Sequence, residues 1–382
     1  MSNNRGARTS GWTRREALGA LGTSVGLGFA SEVLGAAGAS QATVPSGARA
    51  GAPRFPPGAV IRSLLSDLPP AKVGPGAVLF HEHLSYDNDF FARLRSEGGP
   101  PRPGSPLADP LPTPNMMEDL DWMTEEVQAA AKDGVSCIVD GGHADMGTDV
   151  EFLRLLSRKS GMPIVKGGGY YRQLTYPPRI AKMAEAELVE ELVRHARDQR
   201  WGAFGEIGTS DDITPDERKM LRAVGKAHVR TGLPIFSHTA NGKAAMLQLD
   251  IFEAEGVDVN HLVIGHMCCF FDPNPWRQVH AAIAKRGAYV GFDRVGGEQA
   301  AADKPRVEMV MAFLEGGHES RALLASDFSF RTSSKRGGGN GVARAVTKFV
   351  PMLRERGVKD DVLHRILVDN PRRFLAFVPK NA

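Results

Sequence analysis

Cysteine is scarce in this 382-residue sequence, aromatic residues are few, and neither sign of charge prevails. Three cysteines are too few for a disulfide framework. Aromatics make up 7% of the chain. Lys plus Arg number 47 against 44 Asp plus Glu, a formal net charge of +3, so no basic excess points to nucleic acid as the partner. What is present is ordinary for a globular chain: 42% hydrophobic and 24% charged residues exclude a disordered or collagen-like polymer. No internal repeat at a short fixed period is found. The length alone suggests two or three average domains, although a single α/β barrel can absorb most of it.

The first residues read as an address. Thr13-Arg14-Arg15-Glu16-Ala17-Leu18 resembles a twin-arginine export signal. The apolar, Gly-rich stretch from Ala17 to Ala30 is shorter than the ~20 residues that span a bilayer, and Ser31-Glu32 interrupts it. Ala37-Gly38-Ala39 offers a small-residue cleavage site. The plainer alternative is an uncleaved amphipathic N-terminus. Read as a signal, residues 1–39 imply recognition by export machinery and a periplasmic or extracellular protein, exported folded. The low cysteine count fits, because nothing depends on oxidative folding. Removing residues 1–39 takes away four Arg and two Glu, so +3 becomes +1 (43 against 42). Residues 40–75, rich in Pro, Gly and Ala, read as a linker and an N-terminal strap, and residues 76–382 as one domain.

From residue 76, short apolar runs alternate with helical periodicity. The strand candidates are 77–83, 136–141, 163–168, 202–207, 234–238, 262–266, 288–292 and 322–326, and helical patterns lie between them at 117–132, 184–199, 215–231, 246–255 and 276–285. Apolar runs alternating with helices signal βαβ units and a parallel sheet. Eight over roughly 250 residues is the size of a (β/α)8 TIM barrel. A doubly wound open sheet is the alternative; it opens with a Gly-rich phosphate loop after its first strand, and none stands there. Gly167-Gly168-Gly169, after the third strand, is a weak phosphate-loop signal on its own and reads more plainly as a tight turn. Loops after barrel strands carry chemistry. Here the longest are the Pro-rich 98–114 stretch after the first strand and residues 331–340 after the eighth.

Polar residues gather at the carboxyl ends of these strands. His81 and His83 in His81-Glu82-His83 share a strand face, so both address the lumen while Glu82 turns toward the helices. Glu206 closes the fourth strand, His238 the fifth, His266 the sixth and Asp327 the eighth. Singly, each reads as a satisfied core group or a cap. Together they are six residues on five strands, all at one end. A carboxylate in a barrel lumen needs a cation. Four imidazoles and two carboxylates suit a pair of divalent ions such as zinc.

These residues resemble the amidohydrolase superfamily and, more narrowly, the phosphotriesterase family. The stretches that carry the likeness are Leu79-Phe80-His81-Glu82-His83-Leu84, Gly205-Glu206-Ile207-Gly208-Thr209-Ser210, Ser237-His238-Thr239, Val263-Ile264-Gly265-His266, and Phe349-Val350-Pro351-Met352-Leu353 with Asp369-Asn370-Pro371. The resemblance implies that His81, His83 and Asp327 hold a more buried metal, that His238 and His266 hold a more exposed one, and that Glu206 bridges them, as in the glutamate-bridged branch. Lys166, on the third strand, is the rival for a carboxylated-lysine bridge. Two close divalent ions would hold a water and lower its pKa to near neutral. Asp327 would orient that water and take its proton.

The substrate implied is a small-molecule lactone or carboxyl ester; a phosphotriester at the same metals is the alternative. Arg294, in Asp293-Arg294, resembles the corresponding lactonase segment and is read equally as a substrate contact or as half of a structural ion pair. Tyr170 and Tyr171 stand where lactonases place an aromatic beside the substrate, though one must point outward. Arg331 is read as meeting an anionic substrate group or only solvent. His143 is expected behind the ligands, and the six other histidines on helices or outer loops. Cys268-Cys269 reads as rim packing. A homodimer stays open. Two other classes remain: an exported binding protein on a degenerate barrel, and a mononuclear deaminase-type barrel.

Overall fold

The computed structural model describes residues 53–97, 115–269, 275–297 and 300–380. Residues 1–39, read from the sequence as an export signal, residues 40–52 of the expected linker and the Pro-rich 98–114 stretch lie outside the described residues. Gln41–Ala382 forms one compact unit. No helix among the described residues is long and apolar enough to cross a membrane.

The protein is a (β/α)8 barrel. Its strands are β1 (Ala77–Glu82), β2 (Val135–Asp140), β3 (Ile164–Lys166), β4 (Phe204–Thr209), β5 (Ile235–Thr239), β6 (Leu262–Ile264), β7 (Tyr289–Phe292) and β8 (Ala322–Leu324). All neighbours pair in parallel within two runs, β1-β2-β3 and β4 to β8. Backbone hydrogen bonds close both seams. Gly202 N and Gly205 N donate to Lys166 O (2.9 Å) and Gly168 O (2.9 Å) between β3 and β4. Asp327 N donates to His81 O (3.2 Å) and His83 N to Phe328 O (2.9 Å) between β8 and β1.

The helices form where local signals permit. Thr214 caps the helix Pro215–Thr231 in a reciprocal capping box with Glu217, Pro215 opens it, and Gly232 ends it in the left-handed conformation (φ 78°). Asp149 accepts from the amides of Glu151 and Phe152 at the start of Val150–Ser160.

Two apolar layers follow from strand alternation. Leu79, Ile138, Ile164, Phe204, Ile235, Leu262, Val290 and Leu324 pack outward under the helices. Val78, Phe80, Val139, Val165, Phe236, Val263, Tyr289 and Leu323 fill the lumen with Phe374. The lumen is therefore a solid floor, and polar side chains have room only above it. The strap pairs with the C-terminal end: Val60 and Phe377 exchange backbone hydrogen bonds (2.8 and 3.0 Å). Arg372, buried, donates to the carbonyls of Val73 and Gly74.

Three strands stop two residues short of the end that the sequence pattern suggests. β6 stops at Ile264, β8 at Leu324 and β3 at Lys166. His266 and Asp327 therefore lie beyond their strands. Both are in the left-handed region (φ 58° and 50°), which breaks the ladder and swings each side chain over the lumen. Gly265 permits the turn, since a Cβ there would stand 2.0 Å from Ser237 O.

Candidate metal centre

Above the lumen floor, the backbone register slips at two strands. β1 shifts against β2 between Leu79 and Glu82, and β4 shifts against β5 between Phe204 and Ile207. Such irregularities re-aim side chains beside active sites. Phe80 and His81 are consecutive, yet both meet Phe236 in the lumen, at ring separations of 6.5 and 5.2 Å. His81 and His83 keep their mutual two-residue relation and lie 5.4 Å apart, centre to centre. Glu206 likewise reaches the lumen from β4.

Glu206 is the hub. Its Oε1 lies 2.5 Å from His238 Nδ1 and 2.8 Å from His266 Nε2. Its Oε2 faces the other pair, 3.5 Å from His81 Nε2 and 3.6 Å from His83 Nε2. Asp327 Oδ1 lies 3.1 Å from His83 Nε2 and 3.8 Å from His81 Nε2. One carboxylate thus divides two imidazole pairs, and a second carboxylate closes over the His81–His83 side. All six residues expected from the sequence converge.

The donor set fits divalent cations. Nitrogen and oxygen atoms of His81, His83 and Glu206 fall within 4.8 Å of one another, as do those of Glu206, His238 and His266. Although carboxylate oxygens stand nearby, the buried Nε2 atoms of His81 and His266 have no aligned hydrogen-bond partner. Lone pairs aimed at a common point without a donor are what a cation satisfies. The charge argues the same way. Burial pushes the Glu206 and Asp327 carboxyls up, but His238 and His81 for the first, and Arg294 and His83 for the second, hold both well below the ordinary carboxylate range. Burial likewise raises Asp293, which His266 and His81 bring back below it. Three buried carboxylates face one guanidinium, an excess of two negative charges that calls for cations. Burial lowers His83 and His266, but the neighbouring carboxylates outweigh it and raise each to about 9; a proton there stands in for a metal. Burial brings His238 down to about 3, so its ring is already the neutral ligand form.

Asp293 is the residue of the site that the sequence pattern leaves without a role of its own. Its Oδ2 accepts from His81 Nδ1 (2.9 Å), and its Oδ1 takes both the amide (2.7 Å) and Nδ1 (3.0 Å) of His266. It could be grouped with those histidines as a ligand. However, both rings turn Nδ1 to Asp293 and Nε2 to Glu206, so Asp293 orients the rings from behind. The signal in the sequence was its position one residue past β7, pointing into the lumen as Tyr289 and Gly291 do.

Arg294 pairs with Asp327: Nε lies 2.7 Å from Oδ2. The ion-pair reading is realised, on the residue expected to take the proton. The side chain is 35% exposed, so its outer edge also opens to the mouth. Cys268 accepts the Arg294 amide (3.3 Å) and Cys269 Sγ lies 3.9 Å from Nη1, so the two buried thiols pack against this arginine.

The two tyrosines part company. Tyr171 packs edge-on against His238, ring centres 4.9 Å apart, with its hydroxyl 3.3 Å from the imidazole nitrogens. Tyr170 does not join the centre: its hydroxyl donates to Glu191 (2.5 Å) and accepts from Arg179 (2.7 Å) under the helix Glu185–Asp198. Consecutive residues on an extended backbone point to opposite faces. Tyr170→Phe is therefore expected to cost about 1 kcal/mol of stability with unchanged turnover, checked by thermal unfolding and steady-state kinetics. Arg331 is not brought to the centre either. It is exposed and lies over Trp122, 5.2 Å from the ring centre, because that indole face offers the guanidinium a nearer partner.

Lys166 Nζ donates to the carbonyls of Gly142 and Gly167 (2.6 Å to the latter) and lies 3.7 Å from Asp140. His143 is buried beyond β2 with Nδ1 3.6 Å from Asp145. His228, His261 and His280 each hydrogen-bond a backbone carbonyl away from the centre.

The model of the phosphotriesterase family matches residues 64–375. A phosphotriesterase homology protein of Escherichia coli is 30% identical over 265 residues, covering 68% of this chain and 89% of that protein. An N-acetyltaurine hydrolase of Rattus norvegicus is 26% identical over 355 residues, 83% of this chain and 98% of that one. Among solved structures, a resiniferatoxin-binding protein from Rhodobacter sphaeroides superposes with a TM-score of 0.71 at 29% identity, covering 83% of this chain and 95% of that one.

Proposed function

The chain belongs to the phosphotriesterase family, and from that premise we propose a binuclear metal-dependent hydrolase that attacks a carboxyl centre, in a lactone or carboxyl ester. One observation carries the reading: the Glu206 carboxylate presents one oxygen to His81 and His83 and the other to His238 and His266. In this reading His81, His83 and Asp327 hold one ion, His238 and His266 hold the other, and Glu206 serves both. Zinc suits the imidazole and carboxylate donors. Two bound divalent ions would supply a nucleophile at neutral pH and polarise the scissile carbonyl.

The protein's own residues do the rest. Asp293 fixes the tautomers of His81 and His266. Asp327 presents Oδ1 to the centre as proton acceptor, while Arg294 holds Oδ2 and keeps the carboxylate ionised and pointed. The Tyr171 ring walls the His238 side of the mouth, and the outer edge of Arg294 is free to meet a substrate oxygen. A second reading, hydrolysis of an N-acyl amide, is favoured by the near full-length similarity to the N-acetyltaurine hydrolase. Amide and ester hydrolysis need the same proton acceptor.

The test is purification of the full chain, elemental analysis, and a panel of lactones, aryl esters, N-acyl amides and organophosphates. Two metal equivalents with turnover of carboxyl substrates support the reading. One equivalent favours a mononuclear barrel, none a binding protein, and organophosphates as the best substrates a phosphotriesterase. Arg294→Ala is expected to lower turnover about 10- to 100-fold with metal content intact, since a charge-assisted hydrogen bond of about 1.5–3 kcal/mol is lost. Equal turnover removes Arg294 from the site. We also propose that residues 1–39 direct export. Replacing Arg14 and Arg15 by Lys should then leave the protein in the cytoplasmic fraction of a cell with a twin-arginine pathway.

A further inference from the structure

Glu82, between the two histidines of β1, turns away from the lumen as alternation requires. It is shut off from solvent, fully buried against the end of β8. Its Oε1 accepts the Ser326 amide (2.9 Å). Its Oε2 accepts both the Ser326 hydroxyl (2.7 Å) and the Phe328 amide (2.8 Å). The two amides flank Asp327. From the other side Arg344, also buried, donates to the Ser326 carbonyl and lies 3.5 Å from the Asp327 carbonyl, while its Nη1 holds Ser333 Oγ (2.7 Å). Backbone groups on both sides of Asp327 are thus gripped by a buried acid and a buried guanidinium. The residue between is in the left-handed conformation (φ 50°), which a non-glycine residue holds only when its surroundings impose it.

We infer that Glu82 and Arg344 are positioning residues for Asp327, a clamp that holds the proton acceptor over the metal centre at the β8–β1 seam. The inference rests on the reading of Asp327 as ligand and proton acceptor. No step of the reaction passes through Glu82. Both its oxygens are occupied by donors, so an amide in its place must turn an NH2 toward a backbone N–H. Glu82→Gln is therefore disruptive despite its equal size. The clamp also links the loop after β8 to the chemistry, since Ser333 sits in that loop.

Glu82→Gln is expected to lower kcat about 10- to 100-fold with little change in KM, the range of effects seen when the partners of metal ligands are removed. Metal should be stripped by about tenfold less chelator. Amide hydrogen exchange in the segment 323–329 should speed up about tenfold, a readout that needs neither metal nor substrate. Glu191→Gln, in the outer Tyr170–Arg179 network, is the control: it should lose stability and keep kcat. Ser326→Ala removes one donor and should show the same changes at a few-fold size, so the inference remains testable if Glu82→Gln does not fold. Wild-type exchange and wild-type kcat in Glu82→Gln, or in Ser326→Ala if that alone folds, overturn the clamp. A wild-type protein that binds no divalent metal but shows faster exchange in Glu82→Gln would overturn the metal reading, and with it the clamp's catalytic role, and leave only the hold of Glu82 on the Asp327 backbone.

Discussion

Glu206→Gln is expected to lower turnover by about 10²–10³-fold and to leave the purified protein with one metal equivalent in place of two. The physical reason is the division of labour between its oxygens. Oε1 serves His238 and His266 at 2.5 and 2.8 Å, and Oε2 serves His81 and His83 at 3.5 and 3.6 Å. An amide keeps one acceptor and replaces the other by a donor, so it can complete only one half of the centre. It also removes the charge that both halves share. The His81–His83 half retains Asp327 as a second anion on its Nε2 side, 3.1 Å from His83; on the Nε2 side of His266 no second carboxylate comes so close, Asp327 standing 3.9 Å away and Asp293 lying behind the ring. The second half should therefore lose its ion. Elemental analysis and kcat on the same preparation check this. Two equivalents retained with turnover within tenfold of wild type would sink the bridging assignment.

Asp293→Asn is expected to weaken metal binding about 100-fold, the upper end for loss of a partner that orients ligands. Asp293 touches two imidazoles, one on each side of Glu206, and accepts from both Nδ1 atoms. An asparagine can accept from one ring only, and its NH2 favours the opposite tautomer in the other. That tautomer carries its proton on Nε2, where the lone pair is needed. The amide of His266 also loses part of its acceptor, which loosens a left-handed residue. Competition against a chromophoric chelator measures the affinity directly. Wild-type affinity in the asparagine variant would mean that the rings are held by packing against Phe236 and each other, and that Asp293 is dispensable.

The two substitutions separate holding the ions from aiming the rings. Glu206→Gln changes stoichiometry, whereas Asp293→Asn changes affinity, most at the position whose ring loses its acceptor. The second effect arises from a residue that contacts neither proposed ion.

What could be read from the sequence is what depends on local periodicity. The pairing of His81 with His83 follows from the two-residue repeat of a strand, and it survives a register shift because both residues shift together. The helix Pro215–Thr231 is bounded as expected because Thr214, Glu217 and Gly232 are local signals that need no partner elsewhere. The ligand set was legible because the carboxyl ends of barrel strands meet by construction of the fold.

What required the tertiary structure is whatever depends on residues distant in sequence or on a break in periodicity. Asp293 and His81 are 212 positions apart, and no local pattern could pair them. Arg294 chose Asp327 over its neighbour because Asp293 was already taken by two imidazoles. Tyr171 and Tyr170 are indistinguishable by composition; the loop after β3 decides which ring meets His238. The left-handed turns at His266 and Asp327 are held by amide acceptors on other strands, Asp293 and the His81 carbonyl. Periodicity decides which face a side chain takes along one strand. Only the closed barrel decides which atom it meets there, because its partners arrive from other strands at distances set by register and twist.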